Sequence, residues 1–335
     1  MEFSRRSLPF FQVDVFTSEP FGGNPLAVFP SVGELSEREF QQIAREMNLS
    51  ETVFVLPPTD SRAAAKVRIF TPFQEIPFAG HPILGTFFVL GAVKHLTLQE
   101  PVTKVFYECT LGLYALELVV LNGQIEQVIM SQPPPQFIDV IKQVEAVYDI
   151  AKALGVHRSL IADTMFPIEV VSTGLPVLIV PIRTLTAAKS MEVDHVAVLD
   201  ICARFGTNGI MIFTTMTVEE SASVHTRMFA DPIGIPEDPA TGSASGALGA
   251  YLVKNGVVEV GPTTEVVMEQ GYEIDRPSRI LVQIFSDDDV IRSVREGSAR
   301  NFTVKSSGKL ERAIGFNNLI VAYNVRHYLS ALHLS

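Results

Sequence analysis

An internal repeat constrains the fold of this chain more than any other feature of its sequence. An ungapped alignment that starts at Arg68 and Arg227 pairs three further identities, which are Phe70 with Phe229, Ile76 with Ile235 and Pro77 with Pro236. Each copy then passes through a short polar loop into small and apolar residues, at 82–94 and 242–254. A helix that is apolar around its whole circumference belongs in a protein interior. The repeat therefore predicts two similar halves, each with a buried helix, and a cleft between them that could hold a small ligand.

The size of the chain also favours two domains. Its 335 residues exceed what one hydrophobic core usually organises, and 47% of them are hydrophobic, which is enough for two cores. Three consecutive prolines, Pro133–Pro135, cannot continue a helix or a central strand and so predict a linker. We expect an N-terminal lobe at 1–132 and a C-terminal lobe at 133–317.

Local patterns predict the elements around the two buried helices. Ser36 and Glu39 form a capping box before a helical run of apolar residues, which predicts a helix ending near Asn48. A second amphipathic helix is predicted at 144–154. Alternating or apolar runs predict strands at 11–16, 26–29, 52–56, 65–70, 168–171, 176–182, 209–213 and 225–229.

The charge and hydropathy of the chain exclude several classes of partner. A net charge of -11 gives an acidic surface that repels phosphate backbones and anionic lipid, so we expect neither nucleic acid nor membrane as a partner. The longest apolar run, 82–93, is shorter than the ~20 residues that span a bilayer. No signal peptide is visible, and we expect a cytoplasmic protein.

The two cysteines do not indicate a metal site. Cys109 and Cys202 are far apart, and neither belongs to a CxxC or Cys/His pattern. We expect two buried, reduced thiols, although sequence alone leaves a disulfide open.

Three loops place reactive side chains next to predicted helices, and two of these loops contain glycines. Glu51 follows a predicted helix, His81 precedes one buried helix, and the segment 237–244 precedes the other. A helix N-terminus offers unpaired N–H groups and a partial positive charge, which suits the carboxylate of a small substrate. Each residue also has an ordinary interpretation: Glu51 as a solvated loop residue, His81 as a structural one, and Thr241 or Ser243 as a helix cap.

The sequence motifs do not indicate a serine hydrolase or a nucleotide-binding protein. The segment 242–246 resembles a nucleophile elbow, but Ala244 stands where the serine is required. No GxGxxG follows a strand and no GxxxxGK[ST] is present, so nucleotide-binding motifs are missing as well.

At these loops the chain resembles the PhzF (phenazine-biosynthesis) family. The segments that carry the resemblance, in the family's order along the chain, are 16–17, 23–28, 47–52, 68–72, 78–82 and 237–244. The resemblance implies an α+β fold similar to that of diaminopimelate epimerase, in which two pseudo-symmetric domains each wrap a barrel-like mixed sheet around a central helix. It also implies that the tail from about 318 to 335 packs on the first domain and that the protein forms a homodimer.

The resemblance further implies a reaction and its residues. Glu51 corresponds to the catalytic acid/base, and His81 and Asp238 correspond to its catalytic partners in a cleft between the domains. The residues expected to bind the substrate near its carboxylate are Gly80, Gly242 and Ser243. The implied activity isomerises a small conjugated amino or hydroxy carboxylic acid, as for trans-2,3-dihydro-3-hydroxyanthranilate, without a metal or an organic cofactor. One base that returns the proton as an acid suits such a hydrogen shift.

Two alternatives stay open at this point. The chain could bind a metabolite in the same cleft without turnover, or it could epimerise an amino acid with the same carboxylates. A racemase with two thiols is disfavoured, since Ala79 and Ala240 lie in the relevant loops.

Overall fold

The computed structural model describes residues 5–287, 290–298, 303–313 and 321–323. Its helices are α1 (Glu37–Met47), α2 (Gly80–Ala92), α3 (Val144–Ala153), α4 (Ser159–Ala162), α5 (Leu185–Lys189), α6 (His195–Phe205) and α7 (Gly242–Lys254). Its strands are β1 (Arg5–Val15), β2 (Asn24–Phe29), β3 (Glu51–Leu56), β4 (Ala65–Phe70), β5 (Glu75–Ile76), β6 (Val102–Cys109), β7 (Gly112–Leu121), β8 (Gln124–Gln132), β9 (Gln136–Ile141), β10 (Ile168–Ser172), β11 (Pro176–Pro181), β12 (Ile210–Thr214), β13 (Val224–Ala230), β14 (Ile235–Asp238), β15 (Thr263–Gln270), β16 (Ser278–Asp287), β17 (Val290–Ser298), β18 (Thr303–Ala313) and β19 (Val321–Tyr323). Across the described ranges, no helix combines the length and the hydropathy needed to cross a membrane.

Two compact units make up the described chain. The first comprises 5–21, 25–128, 303–313 and 321–323, and the second comprises 22–24, 129–287 and 290–298. The predicted boundary at 132/133 stays a prediction, and the three prolines lie between β8 and β9. Most of the predicted tail, 318–335, falls outside the described residues.

The first unit has a mixed sheet packed against α2. Strand β2 is parallel to β3, β3 is antiparallel to β4, β4 is parallel to β6, and β6 is antiparallel to β7. Helix α2 contacts β1 and β3, and it is almost fully buried, as its apolar circumference predicts. It begins at Gly80, two residues before the predicted start. Pro82 fits inside the first turn because the N–H groups there have no partner within the helix.

The second unit repeats this topology around α7. Strand β11 is parallel to β12, β12 is antiparallel to β13, β13 is parallel to β15, and β15 is antiparallel to β16. Helix α7 contacts β10, β11, β15, β16 and β17 and occupies the predicted residues. The predicted α+β class, with two similar halves around buried helices, is confirmed.

The repeated residues occupy matching positions in both units. The Arg68 guanidinium lies over the Phe70 ring, and that of Arg227 lies over the Phe229 ring, each 5.1 Å from the ring centroid. Arg68 also pairs with Glu75, as Arg227 does with Glu237. The few identities in the alignment therefore mark one structural motif that is used twice.

Candidate active site

Glu51 lies at the start of a buried strand. Helix α1 ends at Asn48, whose left-handed conformation (φ 51°) turns the chain towards β3. Glu51 is the first residue of β3, pairs with Leu26 of the parallel strand β2, and is only 6% exposed. The interpretation of Glu51 as a solvated loop residue is therefore wrong, because strand pairing carries its side chain inwards.

His81 lies beside this carboxylate. It is the second residue of α2 and is also 6% exposed, and its Nε2 lies 3.2 Å from Glu51 Oε2. A buried carboxylate is costly unless a polar or cationic group faces it, and the imidazole supplies such a group. Gly80 begins the same helix turn, where the backbone N–H groups have no partner within the helix. This unit thus holds a buried carboxylate–imidazole pair next to a helix N-terminus.

Asp238 ends β14 and is held by buried polar contacts. Asn24 Nδ2 donates to Asp238 Oδ1 at 2.9 Å, and Thr241 Oγ1 donates a short hydrogen bond to Asp238 Oδ2. Both donors suit an ionised carboxylate, which can only accept. Asp238 is 7% exposed, so this carboxylate is fixed rather than solvated.

Buried side chains also bond the carbonyl groups of the loop that leads into α7. Gln270 Nε2 donates to the Asp238 carbonyl at 2.6 Å, Ser278 Oγ donates to that of Pro239 at 3.1 Å, and Asn24 Nδ2 donates to that of Ala240 at 2.9 Å. Three consecutive backbone acceptors are thereby satisfied away from water. Each of these carbonyl groups thus accepts from a side chain on a different strand.

Gly242 and Ser243 begin α7, and their carbonyl groups are held as well. Gln132 Nε2 donates to the Gly242 carbonyl at 3.0 Å, and Thr173 Oγ1 donates to that of Ser243 at 3.2 Å. Thr241 is the N-cap residue, but its side chain makes no capping hydrogen bond. The first-turn N–H groups and the positive end of the helix dipole form a site that could hold an anion.

The structure thus gathers the predicted residues into two sets. Glu51, His81 and Gly80 lie together in the first unit, and Asp238, Gly242 and Ser243 lie together in the second. Sequence reasoning missed Asn24, Gln270 and Ser278. Asn24 lies in the segment 23–28 that carries the family resemblance, but no role was assigned to it, and no local pattern singled out the other two.

The cysteines lie on other elements. Cys109 ends β6 and Cys202 lies on α6, and both are free and buried, which confirms the prediction of two reduced thiols. Burial raises the pKa of each thiol, which keeps it protonated and unreactive.

Comparison with known proteins agrees with this architecture. The family model described as phenazine biosynthesis-like protein matches residues 13–302. Trans-2,3-dihydro-3-hydroxyanthranilate isomerase of Pseudomonas chlororaphis is 39% identical over 275 residues, which cover 81% of this chain and 88% of that protein. A PhzF-family protein of Bacillus anthracis superposes with a TM-score of 0.81 at 26% identity, covering 92% of this chain and 100% of the other.

A more distant structure shares the fold alone. A hydroxyproline epimerase from Agrobacterium vitis superposes with a TM-score of 0.61 at 14% identity, covering 93% of each chain. The sequence and structural matches extend over most of the chain. The chain therefore belongs to the phenazine biosynthesis-like, or PhzF, family and is an isomerase of that family.

Proposed function

We propose that this isomerase moves a proton on a small conjugated amino or hydroxy carboxylic acid, with Glu51 as the acid/base. The observation that carries the proposal is the buried pair of Glu51 and His81, 3.2 Å apart at the N-terminus of α2. A carboxyl group shielded from water and facing an imidazole is suited to accept and return one proton.

The proposed reaction returns the enzyme to its starting state. Glu51 removes a proton from one carbon of the substrate, and the electron pair of that C–H bond enters the conjugated system. The protonated carboxyl group then delivers a proton to another carbon of the same system. His81 keeps the carboxyl group oriented, and no redox step or second substrate is needed.

We propose that the second set of residues binds and orients the substrate. The N–H groups of Gly242 and Ser243 suit a substrate carboxylate, because the positive end of a helix favours an anion. Asp238, held as an acceptor, suits an amino or hydroxyl group. We propose that both sets of residues act on the same substrate.

The activity of similar proteins supports a cyclic carboxylic acid as the substrate class. Three Pseudomonas proteins that are 37–39% identical to this chain are trans-2,3-dihydro-3-hydroxyanthranilate isomerases. We propose a cyclic acid of this kind as the first compound to test.

The proposal predicts that Glu51→Gln abolishes isomerisation. Loss of a positioned acid/base typically costs about 10²–10⁴-fold in rate. Purified wild type and variant are compared by following product formation from dihydrohydroxyanthranilate and a panel of small amino and hydroxy acids. Glu46→Gln, an exposed change on α1, is the matched control and should keep full activity.

The circular dichroism melting curve separates a catalytic from a folding defect. A folded Glu51→Gln variant with wild-type turnover would refute the assignment of the base. Tight binding of a compound by the wild type without turnover would favour a metabolite-binding protein instead.

A further inference from the structure

We propose that Gln270 is a positioning residue, which directs the hydroxyl proton of Thr241 onto Asp238 and holds the loop before α7 in place. The inference rests on the proposed function, because it takes Asp238 and the first turn of α7 to act on the substrate.

The side-chain amide of Gln270 makes hydrogen bonds to both ends of this loop, at Asp238 and at Thr241. It is the last residue of β15 and is fully buried. Its Nε2 donates to the Asp238 carbonyl at 2.6 Å and to Thr241 Oγ1 at 3.1 Å, while its Oε1 accepts from the Thr241 N–H at 3.3 Å. A carbonyl can only accept and a backbone N–H can only donate, so these partners fix the orientation of the amide.

The amide also fixes the direction of the Thr241 proton. A threonine hydroxyl has one proton and two acceptor lone pairs. Since Gln270 donates to Thr241 Oγ1, that oxygen acts there as an acceptor, and its proton is left for Asp238 Oδ2. Asn24 donates to the other carboxylate oxygen. Gln270 thereby keeps Asp238 in one orientation without touching its carboxylate.

The same contact leaves the start of α7 open to a ligand. Thr241 occupies the N-cap position, where its hydroxyl would ordinarily accept from the second or third N–H of the helix. Here the hydroxyl bonds to Gln270 and Asp238 and makes no capping hydrogen bond. The first-turn N–H groups therefore keep their capacity to bind an anion.

The decisive variant is Gln270→Glu, which keeps the shape of the side chain and replaces the Nε2 donor with an oxygen. The new oxygen would compete with Asp238 for the Thr241 proton and would face the Asp238 carbonyl. We expect the backbone amides of 241–245 to exchange hydrogen faster, by mass spectrometry. We also expect kcat to fall by about 10- to 100-fold, as for other small displacements of a reacting group.

Three further variants separate positioning from general stability. Thr241→Val removes the same hydroxyl proton and should lower kcat similarly, whereas Thr241→Ser keeps the hydroxyl and should retain turnover. The double variant Gln270→Glu with Thr241→Val should be no worse than the worse single variant, because both changes break one hydrogen-bond chain. Gln136→Glu, an exposed change on β9, should alter neither readout.

Each outcome decides one of the two proposals. Unchanged amide exchange or unchanged kcat in Gln270→Glu, or fully additive effects in the double variant, would overturn the role of Gln270. If Gln270→Glu does not fold, Thr241→Val and Thr241→Ser carry the same comparison. If the wild type turns over no compound, the proposed function fails, and amide exchange alone decides whether Gln270 holds the loop.

Discussion

At the scale of single residues, several buried polar side chains of this protein lie within a short distance of a polar partner. Glu51 faces His81, and Asp238 accepts from Asn24 and Thr241. Low local polarity strengthens such contacts and makes the loss of one partner costly. The proposed chemistry thus depends on the same burial that fixes these side chains.

A third set lies at His225 and serves the fold of the second unit. His225 Nδ1 lies 2.8 Å from Glu269 Oε1, and its Nε2 lies 2.9 Å from Glu273 Oε1. Burial alone would lower the pKa of His225, but hydrogen bonds to the two carboxylates raise it overall. Burial would raise the pKa of each glutamate, yet the hydrogen bond from His225, together with backbone N–H donors, leaves both pKa values lowered.

These shifts fix how the cluster stabilises the protein across pH. The His225 contribution is fully present below about pH 6.5, the usual histidine pKa, and is lost as pH rises through the raised pKa. The carboxylate contributions are present above about pH 4.3 and are lost as pH falls through the lowered pKa values.

We therefore predict that His225→Gln destabilises the protein most between about pH 4.3 and 6.5. Removing one partner of a buried ion pair costs about 3–5 kcal/mol. Urea unfolding at several pH values measures the difference between wild type and variant. The exposed His157→Gln is the control, and a difference that stays constant from pH 4 to 9 would contradict the pKa directions.

Local sequence patterns, without the family resemblance, do not predict these polar sets. The contacts join residues 44 positions apart for His225 and Glu269, and 214 apart for Asn24 and Asp238. Each partner has an ordinary local interpretation, and only the folded chain brings the two together. Glu51 shows the same limit, because its burial depends on strand pairing with β2.

At the scale of elements, the two buried helices were predictable because their evidence is local. Nearly every residue of α2 and α7 is apolar or small, and no polar stripe interrupts the pattern. Small residues also allow the sheet to approach each helix closely. A Cβ atom on Gly249 of α7 would lie 2.8 Å from Val282 Cγ1 and 3.2 Å from Ile284 Cδ1, both fully buried.

Gly249→Ala is therefore expected to destabilise the protein. Alanine is favoured over glycine within a helix by about 1 kcal/mol, but the added methyl group overpacks a rigid contact at a cost of about 1–3 kcal/mol. Chemical denaturation should show a net loss of stability. Gly33→Ala, where no atom lies within 4 Å of the new Cβ, should change stability by less than about 0.5 kcal/mol. A more stable Gly249→Ala would contradict the close packing.

At the scale of the whole molecule, one motif occurs twice in the chain. A parallel pair, an antiparallel partner and a buried helix recur in the same order in both units. The sequence revealed this through a few identities and two apolar helices, whereas the strands β6 to β9 and β15 to β17 were not predicted from it. The substrate does not follow from the motif, since fold and function are separate inferences.

We predict that the protein is a homodimer, as the resemblance to its family implies. Light scattering during size-exclusion chromatography should give twice the mass of one chain across a tenfold range of concentration. A mass of one chain throughout that range would refute the prediction.

The central claim is that Glu51 carries the proton, and deuterium incorporation tests it most directly. Wild type and Glu51→Gln are incubated in heavy water with dihydrohydroxyanthranilate. The amount and the deuterium content of the recovered substrate and product are then measured by mass spectrometry. We predict that the wild type forms product in which the newly protonated carbon carries deuterium to the extent that the Glu51 proton exchanges with solvent during turnover, and that Glu51→Gln gives neither product nor deuterium above the uncatalysed background. Incorporation by Glu51→Gln at the wild-type rate would contradict this account.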